Sequence, residues 1–121
     1  MQFETPTNPM MTITDIAALS KIAKSVNPDI VIAVDNTFAT PYLQRPRSLG
    51  ADVVMHSTTK YIGGHGTVIG GAVITSRDDM KDKLYHVMKD FGSCPSPFDA
   101  WLVNQGLKTL PLRMDCHCAK K

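Results

Sequence analysis

A carboxylate and an amine occupy positions from which both could act on one small molecule. Asp35 directly follows an apolar run, and Lys60 follows three hydroxyl residues at positions 57–59 that lie beyond a second such run. Taken alone, each group has an ordinary structural interpretation, because Asp often caps a helix or turn and a lysine in a loop is usually solvated. The combination of the two, with hydroxyls beside the lysine, indicates chemistry.

These are the groups that a pyridoxal phosphate site needs. A lysine amine forms a Schiff base with the cofactor aldehyde, and partial desolvation lowers the pKa of such an amine so that it can attack. A carboxylate facing the pyridine nitrogen keeps it protonated, which makes the ring an electron sink. Hydroxyls such as those of Ser57 and Thr59 can donate to the phosphate. Sets of Asp, Lys and Ser or Thr also arise by chance, so the residues alone define a hypothesis.

Both side chains are predicted to follow strands of one parallel sheet. Residues 30–34 form an apolar run without alternation, typical of a strand covered on both faces, and residues 52–56 and 68–75 form second and third candidate strands. Ligands bind at the carboxyl ends of the strands in open parallel α/β sheets. The predicted fold is therefore α/β, with three layers and a mostly parallel sheet, and its carboxyl edge holds Asp35 and Lys60.

Helices are predicted around these strands. Apolar residues spaced by three and four form one face of a helix at residues 16–26, which Asn27-Pro28 ends. Ser76 is predicted to cap a second helix, Ser96 with Pro97 begins a third, and a fourth is expected after Pro111. Residues expected to be buried on the second and third helices are Met80, Leu84, Val87, Met88, Phe91 and Trp101.

Composition excludes several classes of protein. The 121 residues carry a net charge of +2, too little for an electrostatic nucleic-acid footprint, and the longest apolar run is too short to span a membrane. The three cysteines fit neither a disulfide framework nor a zinc pattern, and His56 and His65 are expected to be packed or hydrogen-bonded rather than metal ligands. No secretory signal opens the sequence, so a cytoplasmic location is expected.

Several segments resemble the trans-sulfuration (cysteine/methionine metabolism) family of pyridoxal phosphate enzymes. Three of them are Glu4-Thr5-Pro6-Thr7-Asn8-Pro9, Val34-Asp35-Asn36-Thr37-Phe38 and His56-Ser57-Thr58-Thr59-Lys60-Tyr61-Ile62. The resemblance continues through residues 41–46, 49–52, 96–100 and 106–110 to Arg113-Met114, and so covers nearly the whole chain. It implies the large domain of a fold-type I, aspartate aminotransferase-like enzyme with pyridoxal 5'-phosphate as cofactor.

The resemblance also implies a role for individual residues around the cofactor. Lys60 would hold the cofactor as a Schiff base and afterwards move protons between substrate and cofactor. Asp35 would pair with the pyridinium nitrogen, and Ser57 and Thr59 would bind the phosphate.

Four further residues match family positions away from the lysine. Asn8 would hydrogen-bond the phenolic oxygen of the cofactor, and Thr37 would lie against its ring. Glu4 and Arg113 match family positions too, and we interpret both as structural.

The implied reaction is a carbon–sulfur bond cleavage in sulfur amino acid metabolism, by γ-elimination on methionine or cystathionine. The alternative within the family is γ-replacement, as in O-acetylhomoserine sulfhydrylase or cystathionine γ-synthase. Family members are longer and are implied to be homotetramers with active sites at dimer interfaces. Residues 1–121 are therefore expected to form part of the large domain, without the family's N-terminal part and C-terminal domain. An alternative of another class is a non-catalytic piece that binds cofactor weakly or associates with full-length subunits.

Overall fold

Four short strands form one sheet in chain order in the computed structural model, which describes residues 1–120. The strands are β1 (Gln2–Glu4), β2 (Ala33–Asp35), β3 (Val53–Ser57) and β4 (Gly71–Thr75). The first three run parallel, and β4 pairs antiparallel with β3. The prediction of a mostly parallel α/β sheet is confirmed.

The strands differ from their predicted bounds because side chains replace part of the backbone ladder. Strand β2 begins at Ala33 rather than at residue 30, since the Ile32 N–H donates to Asp52 Oδ2 at 2.9 Å instead of to a neighbouring strand. Strand β4 begins at Gly71 rather than at residue 68, since the Gly70 N–H donates to Thr59 Oγ1. Strand β1 was not expected, because three residues are too few to show an alternating pattern.

Five helices surround the sheet within residues 1–120. They are α1 (Ile16–Val26), α2 (Thr40–Leu43), α3 (Asp78–Phe91), α4 (Pro97–Lys108) and α5 (Leu110–Ala119). Short single turns lie at Pro46–Leu49 and Thr58–Ile62. None of these described helices has both the length and the apolar character that crossing a membrane requires.

Capping side chains set two of the helix starts. Asp15 caps α1 by accepting from the Ala18 N–H at 3.0 Å, and Ser96 caps α4 as predicted. The predicted Ser76 cap is wrong, because α3 has Arg77 at its capping position, and the Arg77 side chain pairs with Asp79.

The main core lies between α1 and the sheet. Its buried members are Ile16, Ile32, Val34, Ala51 and Val54. The predicted burial of α3 and Trp101 is wrong: α3 has no buried residue, the exposed fraction of Phe91 is 84%, and that of Trp101 is 54%. The described elements cover the apolar face of α3 only in part: Met80 and Leu84 are half-buried, whereas Val87, Met88 and Phe91 are exposed.

An ionic cluster ties the amino ends of the parallel strands together. Asp52 accepts from Lys24 Nζ at 3.0 Å and lies 3.6 Å from an Arg77 nitrogen, while the Thr75 hydroxyl donates to the Asp52 carbonyl. Burial alone would raise the pKa of Asp52, but the Ile32 N–H and the two cations outweigh it and lower that pKa below the ordinary 3.8. The cluster lies at the opposite end of the strands from the candidate site.

Replacing Asp52 by Asn is expected to lower the free energy of unfolding by about 1–2 kcal/mol at neutral pH. Because the folded-state pKa of Asp52 is depressed, its stabilisation is complete above the unfolded pKa and is lost as pH falls through the folded pKa. The unfolding free energies of the parent chain and the variant, measured by urea denaturation, should therefore converge as the pH is lowered below the ordinary carboxyl pKa of 3.8. The exposed Asp29→Asn change serves as control. A difference in the free energy of unfolding that stays the same at low pH would contradict an ionic contribution from Asp52.

Candidate functional site

The carboxyl ends of the three parallel strands lie at one edge of the sheet. Asp35, the last residue of β2, pairs with Glu4 at the end of β1 and with Met55 on β3, so Ser57 lies two residues beyond it along β3. The turn that carries Lys60 follows directly. The structure therefore places the candidate carboxylate and amine after neighbouring strands at the same edge, as the sequence predicts.

Thr37 connects the ends of β2 and β3. Its N–H donates to Asp35 Oδ1 at 2.9 Å, and its hydroxyl oxygen accepts from the Ser57 N–H at 2.8 Å. The side chain is buried, with an exposed fraction of 7%. Thr37 thus fixes the Asp35 carboxylate relative to Ser57, and its contact with a cofactor ring stays a prediction.

A cleft of about 700 Å³ opens beside this pair. Asp35 and Ser57 line it from the sheet, the backbone of Gly70 and Gly71 forms one side, and Lys81 on α3 lies on another. A cleft of this size suits a small molecule that carries polar groups.

Lys60 is the exposed residue of the turn beyond β3, whose first and last residues, Thr58 and Ile62, are buried. Its backbone torsions, φ −89° and ψ −126°, depart from the helical values of the surrounding turn Thr58–Ile62. Among residues 1–120, no hydrogen-bond or ion-pair partner holds its ammonium group. The amine is therefore accessible, but Lys60 does not line the cleft beside Asp35.

The Thr59 hydroxyl is occupied by the loop that precedes β4. It accepts from the Gly70 N–H at 2.9 Å and makes a longer, 3.3 Å contact as donor to the Gly70 carbonyl. That carbonyl also accepts from the Thr58 N–H at 2.9 Å. Phosphate binding by Thr59 would require its hydroxyl proton to leave the longer contact, whereas Ser57 keeps its hydroxyl free of other described residues.

Asn8 lies apart from the Asp35–Ser57 pair. It is exposed, and its backbone N–H donates to Glu4 Oε2 at 3.1 Å. It lines a separate cleft of about 600 Å³ against Tyr61 and α5. The structure thus places Asn8 near the same sheet edge without bringing it into the cleft beside Asp35.

The two histidines near Lys60 have structural environments. His56 is buried, which lowers the pKa of its imidazole below 6.5 although the Asp35 carboxylate opposes that shift. His65 is exposed and its ring Nδ1 donates to the Gly63 carbonyl at 2.7 Å. Within residues 1–120, no three His, Cys, Asp or Glu side chains gather where they could hold a metal ion.

Sequence reasoning did not identify the contacts that hold the Lys60 turn. A Cβ built on Gly106, in α4, would lie 2.7 Å from the Ile62 carbonyl oxygen and closer still to that of Gly63. Arg113, on α5, donates to the Tyr61 carbonyl at 2.6 Å. A glycine inside a helix costs about 1 kcal/mol relative to alanine, so Gly106 was itself a signal of close packing.

The donor set at this edge fits pyridoxal phosphate. Lys60 offers an accessible amine for an aldehyde, and Ser57 offers a hydroxyl for a phosphate. Asp35 engages one carboxylate oxygen with Thr37 and leaves the other without a described partner, so that oxygen can accept from a protonated ring nitrogen. Together these groups match a ligand that carries an aldehyde, a phosphate and a protonated ring nitrogen.

Comparisons with known proteins agree with this chemistry. The sequence profile of the Cys/Met metabolism PLP-dependent enzyme family matches residues 1–120. The chain is 53% identical over 117 residues to the L-methionine gamma-lyase of Treponema denticola, covering 96% of this chain and 29% of that protein. Other relatives are named cystathionine gamma-synthase, in Mycobacterium leprae, and cystathionine beta-lyase, in Lactococcus lactis.

Solved structures show the same fold at high sequence identity. The crystal structure of metB from Corynebacterium glutamicum superimposes with a TM-score of 0.91 at 53% identity, covering 97% of this chain and 30% of that one. Cystathionine gamma-lyase from Lactobacillus plantarum, complexed with L-serine, gives a TM-score of 0.87 at 46% identity and covers 92% of this chain and 29% of that one. The chain spans 29% to 34% of the length of the curated relatives that it matches. Because the profile covers nearly every residue, the chain belongs to the family of PLP-dependent enzymes of cysteine and methionine metabolism.

Proposed function

We propose that this chain carries the lysine-bearing part of a carbon–sulfur lyase that catalyses γ-elimination on methionine or cystathionine. One observation carries the proposal: Asp35 and Lys60 follow neighbouring parallel strands at one sheet edge, with Thr37 linking Asp35 to Ser57. The similarity to a methionine gamma-lyase and to a cystathionine gamma-lyase supports the substrate class.

Each side chain at this edge then has a defined task. When bound, pyridoxal phosphate supplies an electron sink for negative charge on the carbon next to the substrate amino group. Asp35 would hold the proton on the ring nitrogen, and Ser57 and Thr59 would bind the phosphate oxygens. Lys60 would bind the cofactor aldehyde carbon and, once displaced by the substrate amine, would accept the substrate α proton.

Asn8 and Thr37 would complete the cofactor environment. Asn8 would donate to the phenolic oxygen, which requires a cofactor position that spans the Asp35 cleft and the edge of the Asn8 cleft. Thr37 would contact the ring through its methyl group, because its hydroxyl oxygen already accepts from the Ser57 N–H.

A second candidate reaction is γ-replacement, as in cystathionine γ-synthase or O-acetylhomoserine sulfhydrylase. The 51% identity to a cystathionine gamma-synthase favours it about as much as the lyase relatives favour elimination. Elimination releases ammonia together with a 2-oxo acid, whereas replacement consumes an external nucleophile and releases no ammonia. Product analysis therefore distinguishes the two reactions.

Residues 1–121 would form part of a larger cofactor-binding domain in a cytoplasmic enzyme. The exposed apolar residues of α3 (Val87, Met88 and Phe91) and the exposed Trp101 of α4 support further protein packing against them. By resemblance, the complete enzyme would be a homotetramer with active sites at dimer interfaces. On its own, the chain would then bind cofactor weakly or associate with full-length subunits without turning over.

The test is to add pyridoxal phosphate to the purified chain and to record its visible absorbance, then to supply methionine or cystathionine in one assay and O-acetylhomoserine with cysteine or sulfide in another. A visible band with release of ammonia and 2-oxo acid supports γ-elimination. A band with replacement products supports the second reaction, and a band without products identifies a cofactor-binding piece that is not catalytic. The absence of a band would contradict the cofactor assignment.

Replacing Asp35 by Asn is expected to weaken pyridoxal phosphate binding by roughly 10- to 100-fold, because it removes a charge-assisted hydrogen bond to the ring nitrogen. Equilibrium titration of absorbance against cofactor concentration measures the change in Kd. The matched control is Asp29→Asn, at an exposed carboxylate before β2. Equal affinities of the Asp35 variant and the parent chain would exclude a pairing with the ring nitrogen.

A further inference from the structure

The turn that carries Lys60 has few bonds of its own. The Gly63 N–H donates to the Thr58 carbonyl at 2.9 Å, and the Gly64 N–H donates to the Lys60 carbonyl at 2.7 Å. Because the turn ends at Ile62, its last carbonyls have no partner within it. Those carbonyls therefore need hydrogen-bond partners from outside the turn.

Arg113 supplies these partners from α5. Its guanidinium donates to the Tyr61 carbonyl at 2.6 Å and, at a longer 3.5 Å, to that of Ile62. It also donates to the Gly106 carbonyl at 2.7 Å and, through Nε, to the Thr109 hydroxyl at 3.0 Å. One side chain thus joins the end of α4, the start of α5 and the residue directly after Lys60.

The arrangement depends on the geometry of arginine. A guanidinium has five N–H donors in a fixed plane, and four contacts already engage most of them. Few donors are left for an anionic ligand, so the geometry disfavours a role for Arg113 in binding a substrate carboxylate. A lysine at this position would place a single ammonium and could not reproduce the planar set of contacts.

We infer that Arg113 is a positioning residue that holds the Lys60 turn and thereby sets the direction of the Lys60 amine. The inference rests on the proposed covalent role of Lys60. Arg113 touches no reacting group in this arrangement and acts through the Tyr61 carbonyl. Its loss should loosen the turn first and slow the attachment of cofactor as a consequence.

The first measurement needs no cofactor. Amide hydrogen exchange is compared among the parent chain, Arg113→Gln and Arg113→Lys, with Arg47→Gln as control because Arg47 is exposed and its side chain has no described partner. In both Arg113 variants, the backbone amides of residues 61–64 should exchange at least tenfold faster than in the parent chain, while those of β3 should change little. Thr109→Val, which removes the Nε contact together with the 3.2 Å hydrogen bond from the Thr109 hydroxyl to the Gly106 carbonyl, should show a smaller increase and keeps the test valid if Arg113→Gln does not fold.

The second measurement is the rate at which pyridoxal phosphate attaches to Lys60, trapped by borohydride. Arg113→Lys and Thr109→Val should attach cofactor more slowly than the parent chain, and the variant with the faster amide exchange at residues 61–64 should be the slower of the two. Arg47→Gln should attach cofactor at the rate of the parent chain. Unchanged exchange at residues 61–64 in folded Arg113 variants would overturn the inference, as would faster exchange with an unchanged attachment rate. If the parent chain itself attaches no cofactor, the proposed function fails, and the exchange result still decides whether Arg113 holds the turn.

Discussion

Lys60→Ala is expected to abolish covalent attachment of pyridoxal phosphate, reducing the visible band to that of free cofactor. The reason is that only a primary amine forms the bond with the cofactor aldehyde, and the methyl group of alanine cannot replace it. Weak noncovalent binding through Asp35 and Ser57 should persist. Absorbance spectra after removal of free cofactor, followed by borohydride trapping, measure the loss.

Lys81→Ala is the matched control for this prediction. Lys81 lines the cleft beside Asp35, whereas Lys60 does not, so cleft geometry alone would favour Lys81 as the attachment residue. The Lys81 ammonium also contacts Asp78 at 3.3 Å, while that of Lys60 has no described partner. Loss of the band in Lys81→Ala with retention in Lys60→Ala would show that the wrong lysine has been assigned.

Gly106→Ala is expected to lower the free energy of unfolding by about 1–3 kcal/mol, the usual cost of overpacking. Its Cβ would fall within 2.7 Å of the Ile62 carbonyl oxygen and nearer still to that of Gly63. Both contacts are backbone atoms, which cannot rotate away as a flexible side chain could. The gain of about 1 kcal/mol in helix propensity opposes this cost but does not remove it.

Urea denaturation measures the effect of Gly106→Ala, and Gly71→Ala is the control. A Cβ at Gly71 would meet the His56 carbonyl at an ordinary 3.4 Å, so that substitution should change stability far less. The Gly106 variant should also attach cofactor more slowly, because α4 packs against the turn that carries Lys60 and an added Cβ would displace that turn. Equal or higher stability of Gly106→Ala than of the parent chain would show that α4 can move away from the turn without cost.

The sheet edge was predictable because it depends on local pattern. Short apolar runs before Asp35 and before residues 57–60 indicate buried parallel strands, and parallel strands bring their carboxyl ends to one edge. The strand bounds were less predictable. The Asp52 side chain accepts a hydrogen bond from the Ile32 N–H, so β2 begins later in the chain than its apolar run does. No sequence pattern indicates that a side chain will accept a backbone hydrogen bond in place of a neighbouring strand.

Burial and long-range contacts were not predictable from local pattern. The spacing of apolar residues on α3 correctly predicts an amphipathic helix, but spacing carries no information on whether another element covers that face. The bond from Arg113 to the Tyr61 carbonyl joins residues 52 positions apart in the chain, which no local rule connects. The family resemblance singled out Arg113, but only the structure shows that its guanidinium binds the turn after Lys60.

The most direct test of this account is to find which lysine of the unsubstituted chain carries the cofactor. The chain is incubated with pyridoxal phosphate, reduced with borohydride, digested and analysed by peptide mass spectrometry. The account predicts one dominant pyridoxyl adduct, on Lys60. A dominant adduct on Lys81, or label spread evenly over the exposed lysines, would contradict it.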